Sequence, residues 1–353
     1  MQIAFAPDAA RAARLDRARV RGLGESLRHL SERCAPHLPH DERALRHLAA
    51  AFESGSARPP PAAFAHYYAL LHAVLDDDLP AAAGCLHRLA QLTLVEARAG
   101  AEVSVVPLGS AALGTDAELY ATLLDDDPAQ PLGIAPPPAE VFTPFRDRLR
   151  RTLGLMQRTV PALAGELRAI VHQIVVVSGD PVRPLQFDGG SHYQLWGALF
   201  LNTGFHDTEL QMFEVLAHES AHSLLFAFCA ESLLVDNADD ELYTSPLRTD
   251  PRPMDGIYHA TFVSARMHWA LATLLRSGAL DDAQRQQAHE ANRLNLENFA
   301  AGDGVLRAHA RLTPLGQALI EGARGYVAEA QAQVRRRAAA GTAPARATTA
   351  CMR

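Results

Sequence analysis

His218 and His222 stand four residues apart in the pentapeptide HESAH, inside the segment TELQMFEVLAHESAHSLLFAFCA that runs from Thr208 to Ala230. On an α-helix that spacing puts both imidazoles on one face, one turn apart, as two ligands of one metal ion require. Between them lies Glu219, a residue that in such a helix either takes a proton from metal-bound water or orients a ligand. The plain alternative is a chance match, since the chain has 16 histidines in 353 residues. The helical setting argues against chance. Thr208 or Asp207 can cap the start, Glu209 suits the first turn, and Leu210, Phe213, Leu216, Ala217, Leu224 and Phe228 supply apolar faces. After His222 the segment is apolar on more than one side and is expected to be buried.

The neighbouring elements must hold this helix in place. Residues 170–178 (IVHQIVVVS) and 195–202 (LWGALFLN) read as strands, giving a small sheet beside the HESAH helix. A helix is expected from Thr143-Pro144 to about residue 169, broken or kinked at Pro161. Beyond the metal helix, residues 236–256 read as a long polar loop, followed by helices over 257–277, 281–301 and 313–339. Upstream, helical spacing covers residues 11–30, 41–52, 62–75 and 80–97, with one strand at 101–109 and a capping box at Thr115–Glu118. The fold class is therefore mainly α (α+β). A helical N-terminal domain (1–125) precedes a proline-rich linker (126–141) and a metal-binding domain (142–339), and a disordered tail (340–353) ends the chain.

Composition narrows the chemistry. A hydrophobic content of 48% with 21% charged residues is that of a globular chain. A net charge of −7 argues against a nucleic-acid binder working by bulk electrostatics. All 33 basic residues are arginines, so Schiff-base and lysine-nucleophile chemistry are excluded. Cys34, Cys85, Cys229 and Cys351 are scattered, with no C-x-x-C, and indicate neither a disulfide framework nor a thiolate zinc site. No apolar stretch suits a signal peptide or a membrane span, and the expected compartment is the cytoplasm.

Two chemistries compete for the HESAH helix. In a zinc hydrolase, Glu219 is general base to the bound water. In an Fe(II) oxygenase, the histidines and a third ligand occupy one face and leave positions for a 2-oxo acid and dioxygen. The extended metzincin pattern would need Gly at 225 and His at 228, where this chain has Leu225 and Phe228. Candidates for the third ligand are His259 at the start of the next buried helix, Asp255 four residues before it, and Glu241 in the polar loop. Arg248, Arg252 and Arg266 are candidates to grip the distal carboxylate of 2-oxoglutarate, since the guanidinium fork matches a carboxylate. Pairing with Asp250 or Asp255 is the ordinary alternative for a loop arginine.

HESAH followed by SPLRTDPRPMDGIYHATFVSARM resembles the HEXXH-motif proteins of peptide natural-product gene clusters, the 2-oxoglutarate-dependent peptide β-hydroxylases. The shared pattern is S-P-x-R-x-D-P-R-P and then G-x-x-H, here Ser245, Pro246, Arg248, Asp250, Pro251, Arg252, Pro253, Gly256 and His259. The resemblance spans about residues 191–272, with a weaker echo at 312–320, and leaves residues 1–140 without a counterpart. It implies an Fe(II) enzyme that uses 2-oxoglutarate and O2 to hydroxylate a β-carbon in a ribosomally made precursor peptide. Carried over, His218, His222 and His259 are the ligands, Arg252 is the preferred 2-oxoglutarate clamp, and Glu219 is a non-ligating group orienting a histidine or a water. Leader-peptide recognition, or cover for the site, is then the expected task of the N-terminal helices. The alternative outside the resemblance is a zinc-dependent hydrolase, and a third is a binding protein with a structural metal.

Overall fold

The computed structural model describes residues 3–96, 102–125, 131–183, 186–230, 232–246 and 250–341. The architecture is mainly α with a small sheet, as the sequence pattern predicts. The chain divides into two compact units. One comprises Pro7–Ser232 and Arg266–Arg293, the other Met1–Ala6, Leu233–Ala265 and Leu294–Arg353. The expected boundary at 126–141 falls inside the first unit, because a parallel strand pair joins residues on either side of it.

In the first unit, α1 (Ala9–Cys34) starts at Asp8, whose carboxylate accepts the amides of Ala10 and Arg11. It packs on α2 (Glu42–Ser54), which ends at Gly55 with φ +70°, a left-handed turn that favours glycine. Then come β1 (Ala57–Arg58), α3 (Pro61–Leu75), α4 (Leu79–Ala90), β2 (Val95–Glu96), β3 (Ser104–Pro107) and α5 (Asp116–Leu124). The helix expected over 80–97 thus stops at Ala90, and β2 pairs antiparallel with β1. The Thr115 capping box is also corrected. Thr115 has helical φ and ψ and makes no capping bond, and its hydroxyl instead accepts from Arg88 Nη1 at 2.5 Å.

After the proline-rich stretch, α6 (Ala139–Thr159) begins four residues earlier than the Thr143-Pro144 signal suggests, with Pro144 inside the helix. Pro161 does break the helix and opens α7 (Pro161–Ile170). β4 (Gln173–Val177), β5 (Gly189–Gly190) and β6 (Ala198–Asn202) follow, and the sheet order is β3-β4-β6-β5. β3, β4 and β6 are parallel, and β5 pairs antiparallel with β6. Parallel strands covered on both faces read as continuous apolar runs. Ile174 and Val176 of β4 point into one core with Leu163, Leu167, Phe213 and Leu216, while Val175 and Val177 point into another with Leu108, Tyr120 and Phe200.

The helix carrying HESAH is α8 (Glu209–Phe228). Its capping box forms between Thr208 and Gln211, so Thr208 rather than Asp207 is the cap. The turn leading in places His206 at φ +64°, and the His206 ring bonds the Asp188 carbonyl at 2.9 Å. Next are β7 (Leu242–Tyr243), β8 (Arg252–Pro253), α9 (Met254–Arg276), α10 (Asp282–His309) and α11 (Pro314–Gly341), and the division between units falls within α9 and α10. In the second unit, β7 and β8 form an antiparallel pair within the stretch expected to be structureless. Tyr258 donates to the Gly316 carbonyl at 2.8 Å. Gly316 has no room for a side chain, since a Cβ there would lie 1.9 Å from the Leu234 carbonyl oxygen. The disordered tail expected from residue 340 lies, beyond residue 341, outside the described residues. Among the described residues no helix is long and apolar enough to cross a membrane.

One buried ion cluster in the first unit ties α1, α7 and α9 together. Glu166, 1% exposed, accepts from Arg266, from Arg11 Nη2 at 3.1 Å and from the Asp8 amide at 3.0 Å. Removing one partner of a buried pair strands the other charge. Glu166→Gln is expected to lower stability by about 3–5 kcal/mol in urea unfolding; an unchanged midpoint would show that Arg266 finds compensation elsewhere.

Candidate metal centre

α8 is buried on most of its circumference and leaves one lane half-open. Gln211, Glu214, His218, His222, Phe226 and Cys229 lie along it at three- and four-residue steps, while Leu210, Phe213, Leu216, Ala217, Leu224 and Leu225 are in the core. The two histidines of the motif therefore share the face that packing leaves free. Their Nε2 atoms are 3.1 Å apart. Two nitrogens each about 2.0–2.1 Å from one metal lie roughly 3 Å from each other, so the pair fits a shared ion. The same distance is a hydrogen bond, which satisfies the pair without one.

The other ring nitrogen of His218 fixes its tautomer. Nδ1 is 3.4 Å from Met267 Sδ, which can only accept, so Nδ1 carries the proton and Nε2 presents a lone pair. A histidine that donates through one nitrogen can ligate through the other with its ring orientation held. Burial pushes the His218 imidazole below its ordinary pKa, against the pull of Asp188, and favours the neutral form a metal needs.

Glu219 lies off the open lane and is 4% exposed. Ser191 Oγ donates to its Oε2 at 3.1 Å, and its Oε1 is 3.7 Å from His218 Nε2. Burial, aided by Asp188 and opposed by Ser191, pushes its carboxyl up to about 8. The loop bearing Ser191 approaches α8 closely because Gly189 has no side chain. A Cβ there would meet Val215 Cγ2 at 2.7 Å and Glu219 Cγ at 3.3 Å.

The remaining sequence candidates have the following surroundings. His259 is buried in α9, in the second unit, with Asp255 Oδ2 3.8 Å from its Nε2, and burial lowers its pKa. Asp255 itself is half-exposed. Glu241 is taken up by Arg311 at 2.8 Å and Tyr243 at 2.6 Å, which hold its carboxyl down at about 2. Arg252 Nε lies 2.8 Å from Asp250 Oδ2, the ordinary loop pairing. Arg248 lies outside the described residues. Arg266 is corrected as a 2-oxoglutarate ligand, because it is 2% exposed and its charge is committed to Glu166. Among the described residues no group of three or more His, Cys, Asp or Glu side chains stands close enough to hold a metal ion. The structure thus brings His218 and His222 together, with Glu219 beside them.

Four residues around the histidines escape sequence reasoning. Asp188 and Ser191 come from the loop before β6, and Met267 from a helix some 45 residues on, at separations no local pattern reports. Glu214 was legible in principle, being one turn before His218 on the same lane. No protein-family model matches the chain, and a search of curated proteins finds no match.

Burial raises Glu214 from 4.5 to about 7. The unfolded chain releases this proton near 4.5 and the folded chain holds it until about 7, so stability falls as pH rises through that window. In metal-free protein, Glu214→Gln should remove that share of the slope. Urea midpoints of the two proteins are expected to diverge in favour of the variant from pH 4.5 to 7; parallel curves would contradict a raised Glu214.

Proposed function

We propose that the chain is an Fe(II)- and 2-oxoglutarate-dependent oxygenase that hydroxylates a β-carbon in a ribosomally synthesised peptide, acting in the cytoplasm. The observation that carries this is the histidine pair on the open lane of α8, with His218 Nδ1 engaged by Met267 and its Nε2 turned to His222. The peptide substrate and the co-substrate rest on the resemblance over residues 191–272 alone.

His218 and His222 would hold the iron, with His259 as the preferred third ligand and Asp255 as the carboxylate alternative. Glu241 is disfavoured by its bonds to Arg311 and Tyr243. Iron with 2-oxoglutarate and dioxygen supplies the oxidising power to replace an unactivated C–H bond by C–OH. His218 keeps a proton on Nδ1, and His222 must give up its Nε2 proton to ligate. Arg252 would exchange its ion contact with Asp250 for a planar pairing with the distal carboxylate of 2-oxoglutarate. Glu219, bonded to Ser191 and off the open lane, is suited to orienting groups near the metal rather than to taking a proton from water.

A second reading has one observation in its favour. Glu219 Oε1 lies 3.7 Å from His218 Nε2, near enough to the metal position to serve a zinc-bound water as base. Anaerobic addition of Fe(II) and then 2-oxoglutarate to metal-free protein separates the two. The oxygenase is expected to give a weak visible charge-transfer band, lost in His218→Ala and requiring more 2-oxoglutarate in Arg252→Ala. Tight zinc binding with no such band, and hydrolysis abolished by Glu219→Gln, would overturn it in favour of the hydrolase.

A further inference from the structure

Away from α8, the first unit holds a cleft of about 710 Å³ with an arginine-rich lining. Arg14, Arg17 and Arg21 line one wall from α1, at steps of three and four residues, and Arg58 and Arg168 face them from β1 and the end of α7. Five guanidinium groups meet two carboxylates, Asp16 and Glu53, a formal excess of three positive charges (five minus two) in a chain of net charge −7. Both acids are occupied. Glu53 accepts from Arg28 at 2.9 Å, and Asp16 accepts from Trp196 Nε1 at 2.9 Å. Among the described residues no carboxylate lies within ion-pair distance of Arg14, Arg17, Arg58 or Arg168, while Arg21 has only exposed Glu25 at 3.7 Å. Arg58 also loses solvation through burial, opposed by the charge of Asp16, and its Nη2 reaches the Ala169 carbonyl at 3.4 Å.

We propose that this cleft docks an acidic peptide segment whose carboxylates meet Arg14, Arg17 and Arg21 on one wall and Arg58 and Arg168 on the other. The geometry favours spaced carboxylates over a phosphate group. Phosphate sites draw on backbone N–H groups at helix N-termini. Here the helix ends at the cleft are the C-termini of α2 and α7, which present carbonyls and the negative end of the dipole. Attraction for an anion therefore comes from side chains alone, spread along about 10 Å of α1 between Arg14 and Arg21. A capping role explains Arg58 and leaves the three α1 arginines unexplained. The site stands whether or not α8 holds iron.

The test is fluorescence anisotropy with the full-length chain and a labelled peptide of about a dozen glutamates and leucines, beside its glutamine counterpart. The glutamate peptide is expected to bind at least about tenfold tighter, with an affinity that falls as salt rises. Arg14→Glu/Arg17→Glu/Arg21→Glu should weaken it about tenfold or more with the circular dichroism unchanged. Should that variant misfold, Arg17→Gln with Arg58→Gln serves instead, with the same direction expected. No binding, equal binding of the glutamine peptide, or undiminished binding by the folded variants would overturn the proposal. Displacement of the peptide by inorganic pyrophosphate at a lower concentration than by unlabelled peptide would also overturn it and assign the cleft to phosphate.

Discussion

The structure depends on the burial of α8. A helix that holds two imidazole nitrogens 3.1 Å apart must be rigid, and rigidity here comes from packing on almost every side except the lane of His218 and His222. The sheet covers one side through β4, β5 and β6, and α6 and α7 cover another. Gly189 of β5 lets the sheet edge lie against the helix at Val215 and Glu219, where any larger residue would collide. Because the inward faces carry large apolar residues such as Phe213 and Leu216, the helix cannot rotate about its axis without exposing them. Ring orientation then needs one further restraint, which Met267 supplies to His218.

The absence of lysine shapes the polar interior. Arginine keeps its charge when buried and spreads it over a planar fork, so it can satisfy several acceptors at once. Arg19 shows this at the end of α8. It donates to the carbonyls of Phe226 at 3.1 Å and Tyr193 at 3.0 Å, and its guanidinium lies 4.7 Å over the Trp196 ring. A cation there meets the orphan carbonyls and the negative end of the helix dipole. Arg11, over the Phe228 ring and bonded to Glu166, holds the same helix end from the preceding turns of α1. α1 thus fixes α8 at its C-terminal end while the capping box fixes the other.

What the sequence made legible follows the range of the interactions concerned. The HESAH lane, the Thr208 cap and the apolar runs of β4 and β6 are set by spacing within one element, and periodicity reports them. β5 was invisible, because two glycines carry no strand signal; the meaning of Gly189 lies in a neighbour 26 residues away at Val215. Arg266 looked like a ligand-binding arginine on its helix, and its true partner Glu166 lies 100 residues upstream, beyond any local pattern. Thr115 had the residues of a capping box but was drawn to Arg88 instead. The compact units escaped for a related reason. Proline marks a break in local structure, whereas a domain is decided by which distant strands pair, here β3 with β4.

The histidine pair also sets a condition on how an ion could enter. With Nδ1 of His218 donating to sulfur, its Nε2 can only accept, so the 3.1 Å contact requires the proton to sit on His222 Nε2. Ligation needs that nitrogen's lone pair, so His222 must either move its proton to Nδ1 or release it. His218 needs no such change. As candidate ligands the two histidines are therefore unequal: Met267 holds one ready, and the other would have to exchange a hydrogen bond for a metal bond. Burial lowers the His218 pKa and so favours its neutral form, which would leave the tautomer of His222 as the step that metal binding has to drive.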